Sequence, residues 1–107
     1  MGAGHYAGDR TIDGVVVTVD GQPLDLALDV KQFSTNGFEW SYEGAEPRQL
    51  ALAILVDHLG DPTRAMTLSE AFMAEVVANF DNTWEMTAQD VASAVEAIEA
   101  RVRAAGN

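Results

Sequence analysis

The stretch Val15-Val16-Val17-Thr18-Val19-Asp20-Gly21-Gln22-Pro23-Leu24-Asp25-Leu26-Ala27-Leu28-Asp29-Val30 decides the fold, because it reads as two strands around a tight turn. Successive side chains of a strand point to opposite faces, so Val15, Val17 and Val19 share one face. Asp20-Gly21 follows, and an Asp-Gly pair supplies the positive φ angles that a two-residue hairpin turn demands. Beyond it Leu24, Leu26, Leu28 and Val30 alternate with Asp25, Ala27 and Asp29, the period of a strand with one buried and one wet face. An antiparallel pair is expected.

Moving outward, residues near His5 to Arg10 add a third short strand through a turn at Asp13-Gly14, and Phe38 to Tyr42 offer a fourth. The texture then changes from glycine-rich alternation to alanine-rich helical spacing. Glu46-Pro47 suits a first helical turn, and Leu50, Leu52, Ile54, Leu55, Val56 and Leu59 surround the following helix with apolar groups, so it is expected to be the central, most buried one. Gly60 ends it, and Asp61-Pro62 caps the next helix, whose stripe is Ala65, Leu68, Phe72, Val76 and Phe80. Thr87 and Asp90 form an acidic capping box for a third helix with the stripe Val91, Ala94, Val95, Ile98 and Val102, and Arg101 and Arg103 favour its C-terminal end.

Strands first and helices second imply an α+β fold. The expected architecture is an N-terminal antiparallel sheet of three to four strands packed against three C-terminal helices. One domain spans residues 1–107, strand-rich at 5–46 and helical at 47–104.

The 107 residues include 17 Asp+Glu, 6 Lys+Arg and no cysteine, a formal charge of −11. Disulfide scaffolds, zinc-cysteine sites and thiol enzymes are excluded. Such a charge repels nucleic-acid phosphate and anionic lipid, so direct nucleic-acid and membrane binding are not expected. No apolar run reaches the roughly 18 residues of a membrane span, and the start lacks the features of a signal peptide. A cytoplasmic location is expected. The acidity fits a salt-rich cytoplasm, where at about 1 M salt the screening length falls to about 3 Å. It also fits a DNA mimic that occupies a nuclease's basic groove, or an ordinary acidic coat. Mimicry needs crowded carboxylates, whereas these are dispersed from Asp9 to Glu99, so salt adaptation or a plain acidic surface is preferred.

Several constellations touch on chemistry. His58 beside Asp57 could serve as an acid/base group, but no positioned partner is identifiable. Gly2, Gly4 and Gly8 mimic a dinucleotide fingerprint with the wrong spacing and no preceding strand, and read better as a flexible terminus. Asp9, Thr11, Asp13, Gly14, Val16 and Asp20 match positions of a calcium loop. There the short Asp20 and the flanking strands argue against calcium, so Asp9, Asp13 and Asp20 are only a weak candidate and no metal or cofactor is expected. A helix-turn-helix across 47–80 has only Arg64 as a basic group on its second helix, against Glu70 and Glu75, so a helical hairpin packed on the sheet is the stronger reading. The densest candidate is Phe38-Glu39-Trp40-Ser41-Tyr42-Glu43-Gly44-Ala45-Glu46-Pro47, which sets aromatics among glutamates just before a helix N-terminus, where free N–H groups and aromatic walls can build a binding surface. A structural reading, with Trp40 packed across the sheet onto the central helix and Gly44 permitting the turn, carries somewhat more weight.

FEWSYEGAEPRQLALAILVDHLGD, residues 38–61, resembles the domain of unknown function family 6166, whose FEWGYGGSGPAQLALAIL-type pattern precedes an Asp/Gly turn. In that family a helix with a central aromatic and a Trp-x-Leu/Met-Thr segment follow, here Phe72 and Trp84-Glu85-Met86-Thr87. A Tyr-x-Gly-x-Arg opening corresponds to Tyr6, Gly8 and Arg10. Ser41, Glu43 and Glu46 stand where the pattern commonly has glycine, which weakens an anion-binding reading of the loop. The resemblance implies a small intracellular protein of bacterial and archaeal chromosomes, plasmids and phages, and it supplies no catalytic residue.

The expected function is therefore a small acidic, non-enzymatic interaction module from a halophilic host or its mobile elements. Its binding surface would comprise Arg10, Glu39, Trp40, Tyr42, Glu43 and Glu46, with Arg10 paired to a carboxylate. The partner is a protein, and a homodimer stays open. The alternative is a DNA-mimic inhibitor of a nucleic-acid enzyme. A small enzyme, resting on His58, Asp57 and the loop glutamates, ranks third.

Overall fold

In a computed structural model, which describes residues 4–105, β1 (His5–Thr11) and β2 (Gly14–Val19) pair antiparallel through the Asp13-Gly14 turn. Asp20 and Gly21, at φ 52° and 82°, make the expected hairpin turn into β3 (Gln22–Pro23). The other side of β1 pairs antiparallel with β4 (Thr83–Thr87), giving the order β3-β2-β1-β4. Tyr6 and Gly8 of β1, Val17 of β2, and Trp84 and Met86 of β4 are buried on the inner face.

Two expected strands are absent, and both losses have a cause. The fourth strand is not Phe38–Tyr42 but β4, from the half read as wholly helical; β4 occupies the free edge of β1 that residues 38–42 would have needed. The second hairpin arm stops at Pro23, so Leu24–Val30 is not a strand. Asp25 Oδ1 accepts the Ala27 N–H at 2.7 Å, Ala27 adopts φ 58°, and its carbonyl accepts from Val30 and Lys31. That turn breaks the alternation: Leu24 and Ala27 are buried while Leu28 is exposed.

Three helices complete the layer behind the sheet. In α1 (Ala45–Leu59) every residue from Leu50 to Leu55 is buried, as expected of a central helix. Gly60 closes it at φ 66°. Asp61 then caps α2 (Pro62–Glu75) by accepting the Arg64 N–H at 3.1 Å. The α2 stripe was expected to continue to Phe80, but the helix ends at Glu75 and a single 3-10 turn, Val77–Asn79, redirects the chain toward β4. Thr87 and Asp90 cap α3 (Ala88–Ala105) reciprocally, at 3.1 and 3.0 Å. No helix among the described residues is long and apolar enough to cross a membrane.

One side chain organises the coil between β3 and α1. Gln49, fully buried on α1, accepts the N–H groups of Phe33 (2.7 Å) and Ser34 (3.1 Å) through Oε1. Its Nε2 donates to the carbonyls of Leu26 (2.6 Å) and Lys31 (3.1 Å). All four hydrogen bonds open to a primary amide are made. Gln49→Met keeps length and apolar volume but orphans these backbone groups, each worth about 1–3 kcal/mol when buried and unpaired. Urea denaturation should show a loss of at least about 2 kcal/mol, and hydrogen exchange should show the Phe33 and Ser34 amides losing protection.

Candidate functional site

The strand β1 carries three inner-face positions, Tyr6, Gly8 and Arg10, and each meets a different part of the chain. The Tyr6 hydroxyl donates to Asp57 Oδ2 on α1 at 2.6 Å. Gly8 lies under the Trp84 indole so closely that an added Cβ would sit 2.2 Å from Nε1. The Arg10 guanidinium donates to Glu39 Oε1 from Nε (3.1 Å) and Nη2 (2.8 Å), to the Trp40 carbonyl (2.7 Å), and to Asn82 Oδ1. It also lies over the Trp40 ring, 4.8 Å from the centroid. Delocalised, planar and multiply donating, Arg suits this role where Lys does not.

The candidate surface therefore divides in two. Trp40 has no exposed area and belongs to the core, so its assignment to a binding surface is corrected. It packs edge-to-face on Trp84, centroids 5.9 Å apart, and Trp84 stacks on Phe80 at 4.2 Å. Burial of both tryptophans assigns the pair to the core, where neither indole N–H finds an acceptor among the described residues. Arg10 and Glu39 are partly buried and engaged with one another, as expected of the arginine. Their role is to hold the loop.

Tyr42, Glu43 and Glu46 remain outward. Ser41 adopts φ 78°, rare for a residue with a Cβ, and is held there by its N–H to the Val77 carbonyl (3.2 Å) and its hydroxyl to the Phe80 carbonyl. This left-handed step follows the buried Trp40 and precedes Tyr42, which is 44% exposed. Tyr42 donates its hydroxyl to Glu46 Oε1 at 3.1 Å. A Cβ on Gly44 would fall 2.9 Å from the Tyr42 ring, so the glycine admits this approach. Glu46 is shifted below the usual carboxylate range by its own backbone N–H and then by Tyr42. The Tyr42 hydroxyl is shifted upward, first by partial desolvation and then by Glu46. The result is an outward patch of one aromatic, Tyr42, and two glutamates, Glu43 and Glu46.

The other sequence candidates are dispersed. Asp9 accepts from Thr83, while Asp20 accepts the His5 N–H. Asp13 and Asp20 flank opposite ends of the six-residue β2, about 20 Å of strand at ~3.3 Å per residue, so the run 9–20 is a hairpin and not a cation loop. Among the described residues no group of three His, Asp or Glu side chains converges on a metal position. Gly8 serves packing within a strand, which corrects its reading as flexible terminus; Gly2 lies outside the described residues. Asp57 is occupied by Tyr6 rather than by His58, which lines a separate depression with Arg64, Glu96 and Arg103.

Sequence reasoning missed Gln49, Asn82 and the Gly8–Trp84 contact. The period-2 placement of Tyr6, Gly8 and Arg10 was the available signal, since it puts all three on one strand face.

These features define a small two-layer α+β domain whose described contacts are chiefly structural. The chain matches the family of unknown function DUF6166 over residues 6–97 and belongs to it. No curated protein and no solved structure matches the chain.

Two outcomes are expected. Arg10→Lys should cost about 1 kcal/mol in urea unfolding and should speed proteolysis at residues 41–46 while leaving the sheet's circular dichroism intact. Burial and then Asp57 raise the Tyr6 hydroxyl well above its ordinary pKa of 10.0. Above pH ~10 the unfolded chain releases a proton that the folded chain retains, so stability present at lower pH is lost as pH rises. Unfolding free energy measured from pH 9 to 12 should fall with a steeper slope in the native chain than in Tyr6→Phe.

Proposed function

We propose that the chain is a non-enzymatic interaction module whose contact patch is Tyr42, Glu43 and Glu46, from a halophilic host or one of its mobile elements. The observation that carries this reading is the left-handed Ser41. Backbone strain is maintained by three neighbours, Arg10, Val77 and Phe80, and its consequence is one exposed aromatic ring fixed among carboxylates. A pre-ordered aromatic loses little conformational freedom on binding, and aromatics are favoured anchors. The surrounding acids suit a partner with a basic contact face.

The carboxylates do not favour the DNA-mimic alternative. Asp9 and Glu85 lie on the outer face of the sheet, Asp25, Asp29 and Asp57 around a depression beside α1, and Glu96 and Glu99 on α3. An enzyme would need a convergence of His58 with a loop glutamate, and Glu39 is instead bound to Arg10.

The salt-adapted part of this reading is tested by thermal unfolding from about 0.1 M to about 1 M KCl, where the screening length falls from ~10 Å to ~3 Å. Midpoints should rise; flat or falling midpoints would overturn it. The contact patch is tested by affinity capture from the native host in molar KCl. A partner held by the native chain should be lost by the doubly changed Tyr42→Ser, Glu43→Lys chain with an unchanged circular dichroism spectrum, and a partner retained by both would displace the patch.

A further inference from the structure

The apolar stripe of α3 outruns the body of the protein. Val91, Val95 and Ile98 are buried, but Val102, next on the same stripe, is 59% exposed and the helix from Arg101 to Ala105 is open to solvent. Beneath it lies an open groove of about 370 Å3 between α2 and α3, with Leu68, Ala71, Ile98 and Val102 as its apolar lining and Arg64 and Arg103 among its polar neighbours. An exposed valine over an apolar groove is a surface without its cover.

Charge decides what can cover it. Across the whole molecule like copies repel, since each carries a formal −11. The groove is the exception, because two of the six basic residues, Arg64 and Arg103, line it, and a third, Arg101, lies on the same exposed end of α3, paired with Glu75. Arg64 is held by Glu99 through two bonds of 2.7 and 2.6 Å, and Arg101 by Glu75. Arg103 makes no ion pair among the described residues. Along α3 the acids Asp90, Glu96 and Glu99 come first and Arg101 and Arg103 last, so the helix is complementary to an antiparallel copy of itself.

We propose that the α2/α3 groove is the docking face for a second copy of this chain, related by a two-fold axis near Ala100. Each Val102 seats over the other copy's groove, and each Arg103 faces the partner's Glu96. The contact is isologous, so every pairing occurs twice and the assembly closes at two.

Sedimentation velocity across protein concentrations tests this. The native chain should pass from monomer to dimer, and Val102→Glu, a change at an exposed position, should weaken dimerisation roughly tenfold or more with an unaltered circular dichroism spectrum. At about 0.1 M KCl, where screening is modest, Arg103→Glu and Glu96→Arg should each weaken self-association, because each places two like-charge pairs in the dimer. Mixed in equal amounts, these two variants should dimerise more strongly than either alone, since the mixed pair has opposite charges at both contacts. A native chain that stays monomeric at all concentrations, a dimer indifferent to Val102→Glu, or a mixture no stronger than its components would each overturn the proposal.

Discussion

Residues 24–44, between the hairpin and the first helix, run without regular pairing, yet several are buried, and a single amide makes that arrangement stable. Backbone groups removed from water require partners. In a strand the ladder supplies them; here Gln49 does, accepting from two N–H groups and donating to two carbonyls from the middle of the most buried helix. Gln49 adjoins the unbroken buried run Leu50–Leu55 of α1, so its amide is removed from water and depends on those four backbone partners. The coil is thus fixed against the helix, Leu24 and Ala27 reach the core, and Phe38 to Trp40 arrive at the correct end of the sheet to meet Arg10.

The same requirement explains which elements could be read from the sequence. The first hairpin, the three helices and their caps follow from local chemistry: Asp20-Gly21 for the turn, Asp61 for α2, Thr87 with Asp90 for α3. The Leu24–Val30 alternation misled, since the turn at Ala27 puts Ala27 inside and Leu28 outside, and period 2 says nothing of what satisfies the backbone. Only the position of Gln49, distant in sequence, distinguishes a coil sewn to a helix from a strand in a ladder. The short β4 was hidden for a related reason. Thr83–Thr87 alternates as exposed, buried, exposed, buried, exposed, but five residues between two helical stripes carry too little pattern to compete with them.

The family-like stretches have a common structural logic. Tyr6, Gly8 and Arg10 share one strand face, and their partners are Asp57, Trp84 and Glu39, each from another of the stretches that carry the resemblance. Those residues hold the sheet, the central helix and the aromatic core in register. Legibility of the candidate site was therefore partial. Sequence identified Arg10, Glu39 and Trp40 as neighbours of the loop but could not tell a supporting residue from a contacting one, because burial of Trp40 depends on β4 bringing Trp84 beside it. Ser41 sharpens the distinction: its positive φ is a conformation glycine enters freely, and it is occupied here by a residue whose hydroxyl donates to the Phe80 carbonyl and accepts from Arg10.

Charge is distributed by a different rule from packing. The acids are spread over strands, coil and helices, whereas the bases are not. Arg10 is engaged by the loop, Arg48 lies over the Phe33 ring at 4.2 Å, and Arg64, Arg101 and Arg103 gather at the end of α3. Exposed ion pairs contribute only about 0–1 kcal/mol each, so Arg64–Glu99 and Arg101–Glu75 cannot be explained by stability of the fold alone. Their larger effect is on approach: they offset part of the repulsion in one region of the surface, and that region carries the exposed Val102. For a protein carrying 17 acids and 6 bases, the placement of the few positive charges sets where a like-charged surface meets the least repulsion.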